Sequence, residues 1–332
     1  MTKHVTILVP RANAILSSVV GPYKIFSAVN DFYTQSGQST SPMFKIDLVG
    51  IHKESILYDG AFSIHCTAML EDIEKTDLII IPAVLPHNVI QDVEANYDFI
   101  PWIRQQRLVH NAEIASLCMG AFFLAETGLV DGKQCATHWA GIELFKQRYP
   151  HIDVKPEKIV TDQEGIYSSG GAYSFLNLIV HLVQKYCGKE VAIYISKLFE
   201  IDIDRDNQNQ FAIFMGQKEH SDTTIQEAQT YIEEHIDKKI SVDALSEQLA
   251  VSRRNFIRRF KKATGNTPLE YIQRVKIEVA KNALESSPKT INEVMYSIGY
   301  SDTKAFRNLF KRHTGLTPVA YKQKYNRELV SY

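Results

Sequence analysis

Phe256-x3-Phe260-Lys261-x2-Thr264-Gly265-x-Thr267-Pro268-x2-Tyr271 is written a second time as Phe306-x3-Phe310-Lys311-x2-Thr314-Gly315-x-Thr317-Pro318-x2-Tyr321, every identity displaced by the same fifty positions (306 − 256). A constant displacement over so many identities marks a duplicated supersecondary unit. Helix punctuation shows what is duplicated. Ser241 is placed to cap a helix over Val242 to Leu249, whose Val242, Leu245 and Leu249 share one face. A short turn at Ala250-Val251-Ser252 follows. Ser252 then caps a second helix, about Arg253 to Thr264, which Gly265 closes in a left-handed conformation. Two short helices about a tight turn make a helix-turn-helix.

On the second helix Phe256 and Phe260 lie one turn apart and must face inward. Arg254, Arg258 and Lys261 therefore lie outward, flanked by Arg253, Asn255 and Lys262. A solvated basic face is the ordinary meaning of such a stripe. On the second helix of a repeated helix-turn-helix, DNA reading is the better account: Arg and Asn match guanine and adenine edges, and Lys neutralises phosphate. In the second copy Thr290-x-x-Glu293 is a capping box, and Asp302 caps a helix presenting Thr303, Lys304, Arg307, Asn308 and Lys311. Between the copies Thr267-Pro268-Leu269-Glu270 opens a helix to about Ser286. Its roughly twenty residues span about 30 Å, near the distance of about 34 Å between successive major-groove faces.

From about Ile225 to Tyr325 the chain resembles the DNA-binding domain of the AraC/XylS family of bacterial transcription regulators. That resemblance implies a base-reading face on Arg254, Ile257 and Arg258 in the first unit, and on Lys304, Arg307 and Asn308 in the second. Ile257 stands where a polar residue is often found, so its contact would be with a thymine methyl or absent.

The formal charge of −1 hides an asymmetry. Residues Asp222 to Tyr332 hold 19 Lys and Arg against 13 Asp and Glu, a net +6, and the remainder holds 18 against 25, a net −7. A basic reader joined to an acidic module fits nucleic-acid binding under another domain's control. Cys66, Cys118, Cys135 and Cys187 form no CxxC pair and have no histidine-rich companion, so no metal site, cofactor or disulfide framework is expected. Arg11 ends the first apolar run too early for a signal peptide, and no run reaches membrane-spanning length. A cytoplasmic protein without membrane attachment is expected.

In the first part of the chain, Val5 to Val9, Phe44 to Val49, Leu78 to Ile81 and Ile114 to Leu117 are strand-like apolar runs. They alternate with helical patterns at Val20 to Tyr33 and Tyr97 to Leu108, and helices near Ala140 to Arg148 and Tyr173 to Tyr186 follow. Such alternation predicts an α/β domain, a mostly parallel sheet with helices on both faces, ahead of an all-α C-terminal domain with two helix-turn-helix units. Sites in such sheets form at the carboxyl ends of the strands, here the loops at Pro10-Arg11, Pro82-Ala83 and Cys118-Met119.

Ser116-Leu117-Cys118-Met119-Gly120-Ala121 has small residues two before and two after its centre, as a sharp strand-to-helix turn requires. It reads as a nucleophile elbow carrying cysteine, with the helix behind it expected to lower the thiol pKa and to offer N–H groups to an anion. With Ala136-Thr137-His138-Trp139 and Ser169-Gly170-Gly171, this elbow makes residues 3 to about 187 resemble the PfpI-type branch of the class I glutamine amidotransferase-like superfamily. The whole combination resembles the GlxA subfamily of AraC regulators. Enzyme relatives pair the cysteine with a histidine and an acid. Here Met119 stands where peptidase-like members have histidine, and no Asp or Glu occurs before Asp31. His138 remains a partner for the thiol, and its plain reading is a satisfied cap residue. Trp139 and Tyr173 read as core aromatics.

The expected domains are a sensing domain over 1–188, a connector over 189–222, and a DNA-binding domain over 223–332, with helix-turn-helix units at about 241–264 and 290–314. The expected function is a sequence-specific transcription regulator, an activator without catalysis of its own. A small effector, nitrogenous by the resemblance, would be held by Pro10, Arg11, Pro82, Ala83, Cys118, Met119, His138, Trp139, Gly170 and Gly171. Double-stranded DNA, a second copy of the chain and RNA polymerase are the macromolecular partners. The competing expectation is a cysteine-dependent hydrolase or aldehyde-processing enzyme whose basic tail localises it on DNA.

Overall fold

The structure, a computed structural model, describes residues 2–326 other than Ala12 and Asp206. Its chain forms two compact units, Met1–Gln208 and Asn209–Tyr332.

In the first unit a seven-stranded sheet runs in the order Val160–Gln163, Ile166–Ser169, Glu113–Ser116, Leu78–Ile81, Lys3–Val9, Phe44–Gly50, Ala68–Met69. Every neighbouring pair is parallel except the outermost, Val160–Gln163 with Ile166–Ser169. Alternation along each strand divides the core in two. Val5, Ile7, Leu78, Ile80 and Ala115 face Val19, Phe26, Leu178 and Ile195 of the helices Leu16–Gln35, Phe175–Cys187 and Lys189–Leu198. Leu8, Ile79, Ile81 and Ile114 face Phe99, Ile103, Phe122 and Phe145 of Phe99–His110, Ala121–Glu126 and Ile142–Arg148. A sheet covered on both faces explains why its central strand, Leu78–Ile81, is an unbroken apolar run.

The expected α/β fold is present. Lys189–Leu198, placed by the sequence in a connector, is instead an amphipathic helix with Val191, Ala192 and Ile195 buried in this core. Gly188, at φ 87°, separates it from the preceding helix. Tyr173, expected in the core, is 64 % exposed because a single 3-10 turn at Ala172–Ser174 carries it outward.

Beyond its entry, the described residues of the second unit form helices: Thr223–Glu234, Val242–Gln248, Arg253–Thr264, Pro268–Ser286, Ile291–Ser297, Thr303–Thr314 and Pro318–Tyr325. The duplication holds in the buried aromatics and the helix ends. Phe256, Phe260, Phe306 and Phe310 are all fully buried. Gly265 and Gly315 close their helices at φ 73° and 74°. The Thr264 and Thr314 hydroxyls each donate 2.8 Å to the carbonyl of the second Phe. Thr267 and Thr290 form the expected capping boxes, whereas the Ser252 side chain makes no capping bond.

Pro268–Ser286 serves both halves. Its Tyr271, Ile272 and Val275 complete the core around Phe256, and its Ile277, Ala280 and Leu284 the core around Phe306. Where the two cores meet lies Lys276, 4 % exposed, whose Nζ donates to the carbonyls of Lys238 and Ile298 at 2.8 Å each. One ammonium thus ties the entry of the first helix-turn-helix to the turn of the second.

Candidate nucleic-acid interface and effector pocket

Each second helix of the pair buries its phenylalanines and leaves its basic residues in solvent. Arg253, Arg254, Arg258, Lys261 and Lys262 are exposed in the first, with Asn255 and Ile257 half-buried between them. Arg253 pairs with Asp243 at 2.7 Å, and Arg258 donates to Asn255 Oδ1 at 2.8 Å. Among the described residues Arg254 has no such partner. Arg259, on the same helix, is of another kind: its guanidinium grips Asp222 through two bonds of 2.9 and 2.5 Å. Asp222 also caps Thr223–Glu234, so Arg259 anchors that helix. In the second copy Lys304, Arg307, Asn308 and Lys311 are all exposed, with Thr303 half-buried at the helix start. No side chain of those four pairs with a carboxylate among the described residues; the Lys304 backbone N–H donates to the capping Asp302 carboxylate at 2.8 Å.

The elbow lies in the first unit where the sequence placed it. Cys118 has φ 54°, the left-handed backbone that a sharp strand-to-helix turn imposes. A Cβ at Gly120 would lie 2.5 Å from the Pro82 carbonyl oxygen, so no side chain fits there. Pro10, Pro82, Cys118 and Gly170 all follow the carboxyl ends of adjacent parallel strands, which gathers four of the expected loops along one end of the sheet.

The chemistry differs from the expectation. The Cys118 thiol is pushed up to about 11 by burial, not lowered; the N–H groups of Ala172 and Met119 face the sulfur and only partly oppose this. The helix behind it, Ala121–Glu126, is too short to reverse the desolvation. His138 does act as a cap: its Nδ1 accepts from the Ala140 N–H at 3.1 Å. Burial holds its pKa below the usual histidine value, so the ring is neutral and carries its proton on Nε2. It has no free lone pair with which to take a thiol proton.

Of the other expected pocket residues, Met119 sends its side chain into the core beside Gly141 and contributes only its N–H. Arg11 is exposed, with its backbone N–H held by Asn96 Oδ1 at 2.7 Å. Ala83 is buried, its N–H bound by the Ser18 hydroxyl at 2.9 Å. Trp139 is half-buried, its ring 5.0 Å from that of His138. Gly171 leaves room for the His138 ring, which a Cβ would meet at 2.3 Å. Sequence reading missed Gln208, whose carboxamide binds both the Thr137 carbonyl and the Gly171 N–H. A glutamine in a polar loop carries no signal of such a role. No cluster of metal-binding side chains occurs among the described residues, and no helix there is long and apolar enough to cross a membrane.

An elbow-bearing α/β unit joined to a doubled helix-turn-helix defines a two-module protein. The chain belongs to the DJ-1/PfpI family, whose model matches residues 16–185, and a helix-turn-helix domain model matches residues 245–324. It is 25 % identical over 209 residues to the HTH-type transcriptional regulator GbdR of Pseudomonas aeruginosa, a match covering 62 % of this chain and 56 % of that one. With the HTH-type transcriptional regulator CdhR of the same species it shares 23 % identity over 266 residues, covering 79 % of this chain and 77 % of the relative. Among solved structures, a Vibrio parahaemolyticus protein assigned as a transcriptional regulator matches with a TM-score of 0.52 at 21 % identity. That match covers 60 % of this chain and 99 % of the other.

Proposed function

We propose that this chain is a sequence-specific DNA-binding transcription regulator whose DJ-1/PfpI unit holds a small effector without transforming it. The observation that carries the reading is the outward basic face repeated on both second helices, with the Lys304, Arg307 and Lys311 side chains paired with no carboxylate among the described residues. Phosphate contacts from such faces supply affinity, and Arg254, Arg258 and Arg307 reach base edges. The names of the relatives GbdR and CdhR support the same function.

Two features support binding over turnover in the pocket. A thiol at about 11 is almost wholly protonated at neutral pH, and the Nδ1 of His138 is already occupied. The effector fitting this site is a small nitrogenous metabolite. Its anionic end would meet the N–H groups at the elbow, and its cationic end the face of Trp139. Homodimers would extend recognition to repeated sites through linked binding, and RNA polymerase is the partner of an activator bound beside it.

The test is selection of genomic fragments by the full chain, followed by footprinting across a salt series. Protected sites whose affinity falls with a log–log slope of about −0.9 per phosphate contact support the reading. Binding without site preference, together with turnover that Cys118→Ala abolishes, would establish the enzyme reading instead. Sedimentation of the full chain as a monomer at tens of micromolar would remove the dimer.

A further inference from the structure

Gln208 is the last residue of the first unit, and only 2 % of it is exposed, although Asp202 to Asn209 is a predominantly polar stretch. Its carboxamide is fully engaged. Nε2 donates to the Thr137 carbonyl at 3.0 Å and the Pro156 carbonyl at 2.9 Å, with that of Lys158 at 3.3 Å. Oε1 accepts from the Gly171 N–H at 2.8 Å. The main chain adds a bond from the Gln208 N–H to the Glu157 carbonyl at 2.8 Å, and Asn207 forms an antiparallel bridge with Lys158. The slot is tight from the Gly170 side as well, since a Cβ there would lie 2.7 Å from Gln208 Cδ.

The groups that hold this side chain also frame the elbow. Thr137 donates its hydroxyl to the Cys118 carbonyl at 3.0 Å, and the Cys118 N–H donates to Ser169 Oγ at 3.3 Å. Ala172, next to Gly171, turns its N–H toward the sulfur. The residue whose backbone continues directly into the second unit therefore has its side chain seated between Thr137 and Gly171, which lie in two of the segments that surround Cys118.

We propose that Gln208 is a latch that reports occupancy of the Cys118 pocket to the chain entering the helix-turn-helix unit. A ligand that moves the Gly170–Ala172 loop or the Thr137 peptide withdraws the partners of the carboxamide and frees Asn207 and Gln208 from the Pro156–Lys158 edge. Partial withdrawal would leave buried donors without acceptors, so the side chain is either in or out. The latch rests on the effector-pocket reading above.

Two variants of the full chain test it from opposite sides. Gln208→Ala removes the carboxamide, and Gly170→Ala pushes it from within the pocket without altering it. Hydrogen exchange at the Gly171 amide and tryptic cleavage after Arg205 should each accelerate by about tenfold or more in either variant. The double variant should be no faster than Gln208→Ala, because the added methyl then has nothing to displace. Wild-type rates in the single variants, or fully additive effects in the double, overturn the latch. The same proteins are then titrated onto a selected genomic fragment, where the latch requires both single variants to change affinity. A fragment bound with wild-type affinity by both overturns the latch alone. Failure of the wild type to select any fragment overturns the regulator reading, and the exchange rates distinguish the two cases.

Discussion

Lys276→Met tests what joins the two helix-turn-helix units. Methionine keeps the apolar stem and removes the ammonium, leaving the carbonyls of Lys238 and Ile298 without the donor that now lies 2.8 Å from each. Two orphaned buried acceptors cost about 2–6 kcal/mol. Part of this returns, because a buried ammonium no longer has to be desolvated. The two short bonds and the Tyr300 ring, 5.4 Å from Nζ, limit that return and leave a net loss of about 2 kcal/mol. In scanning calorimetry of the full chain, the second unit's transition should fall by about 8 °C. The pH dependence has a definite sign. Burial holds the Lys276 pKa below the usual lysine value, so between the two values the unfolded chain binds this proton more strongly than the native chain does. Wild-type stability relative to the variant therefore rises with pH across that window, because the neutral amine still donates to both carbonyls. A variant as stable as wild type, or a stability difference that shrinks toward pH 10, would refute a stabilising role for the Lys276 bonds.

Further expectations concern the readers, their turns and the thiol. Arg258→Ala should lose about 1–3 kcal/mol at a selected site and relax base preference there, whereas Lys262→Ala should weaken all duplexes alike and flatten the salt slope by about one, both read by fluorescence anisotropy. Ala250, in the first turn, holds φ 51° where the second turn has Gly299 at φ 73°. Ala250→Gly should stabilise the unit by about 0.5–1 kcal/mol in thermal melts. Gly299→Ala should destabilise it severely in the same melts, since its Cβ would lie 2.5 Å from the Asp237 carbonyl oxygen. Cys118, with its thiol at about 11, should react with iodoacetamide at neutral pH about 100-fold more slowly in the native chain than in urea; mass spectrometry showing equal rates would contradict the burial argument.

The second unit was legible because its signals are local. Thr267, Pro268 and Glu270 state a helix start within four residues, Gly265 states a helix end, and repetition of the pattern fifty positions on removes the ambiguity. The central strands were legible because burial on both faces makes Leu78–Ile81 wholly apolar. Strands of two to four residues, such as Ala68–Met69 and Ile166–Ser169, are too short for any period to show. The thiol was misjudged for a different reason. A helix N-terminus can be read from sequence, but its field competes with desolvation, and Cys118 is buried in a core assembled from residues as distant as Ile81 and Phe145. Gln208 and Lys276 were invisible for the same cause: their partners are mostly backbone carbonyls, which every residue possesses.

That last point bears on how large a signal the pocket can transmit. Coupling between an effector and DNA cannot exceed the difference in effector binding between the two states, and typical couplings are about 1–3 kcal/mol. A polar latch is suited to that range. The carboxamide has two N–H donors and one bonded oxygen, each bond contributing about 0.5–1.5 kcal/mol in net terms, so withdrawing the whole side chain costs about 1.5–4.5 kcal/mol and overlaps that range. The reciprocal consequence is that DNA bound to the second unit must change effector affinity by the same factor that the effector changes DNA affinity. A latch of this strength sets that factor between about fivefold and 150-fold, large enough to measure and small enough to be reversed when the metabolite is gone.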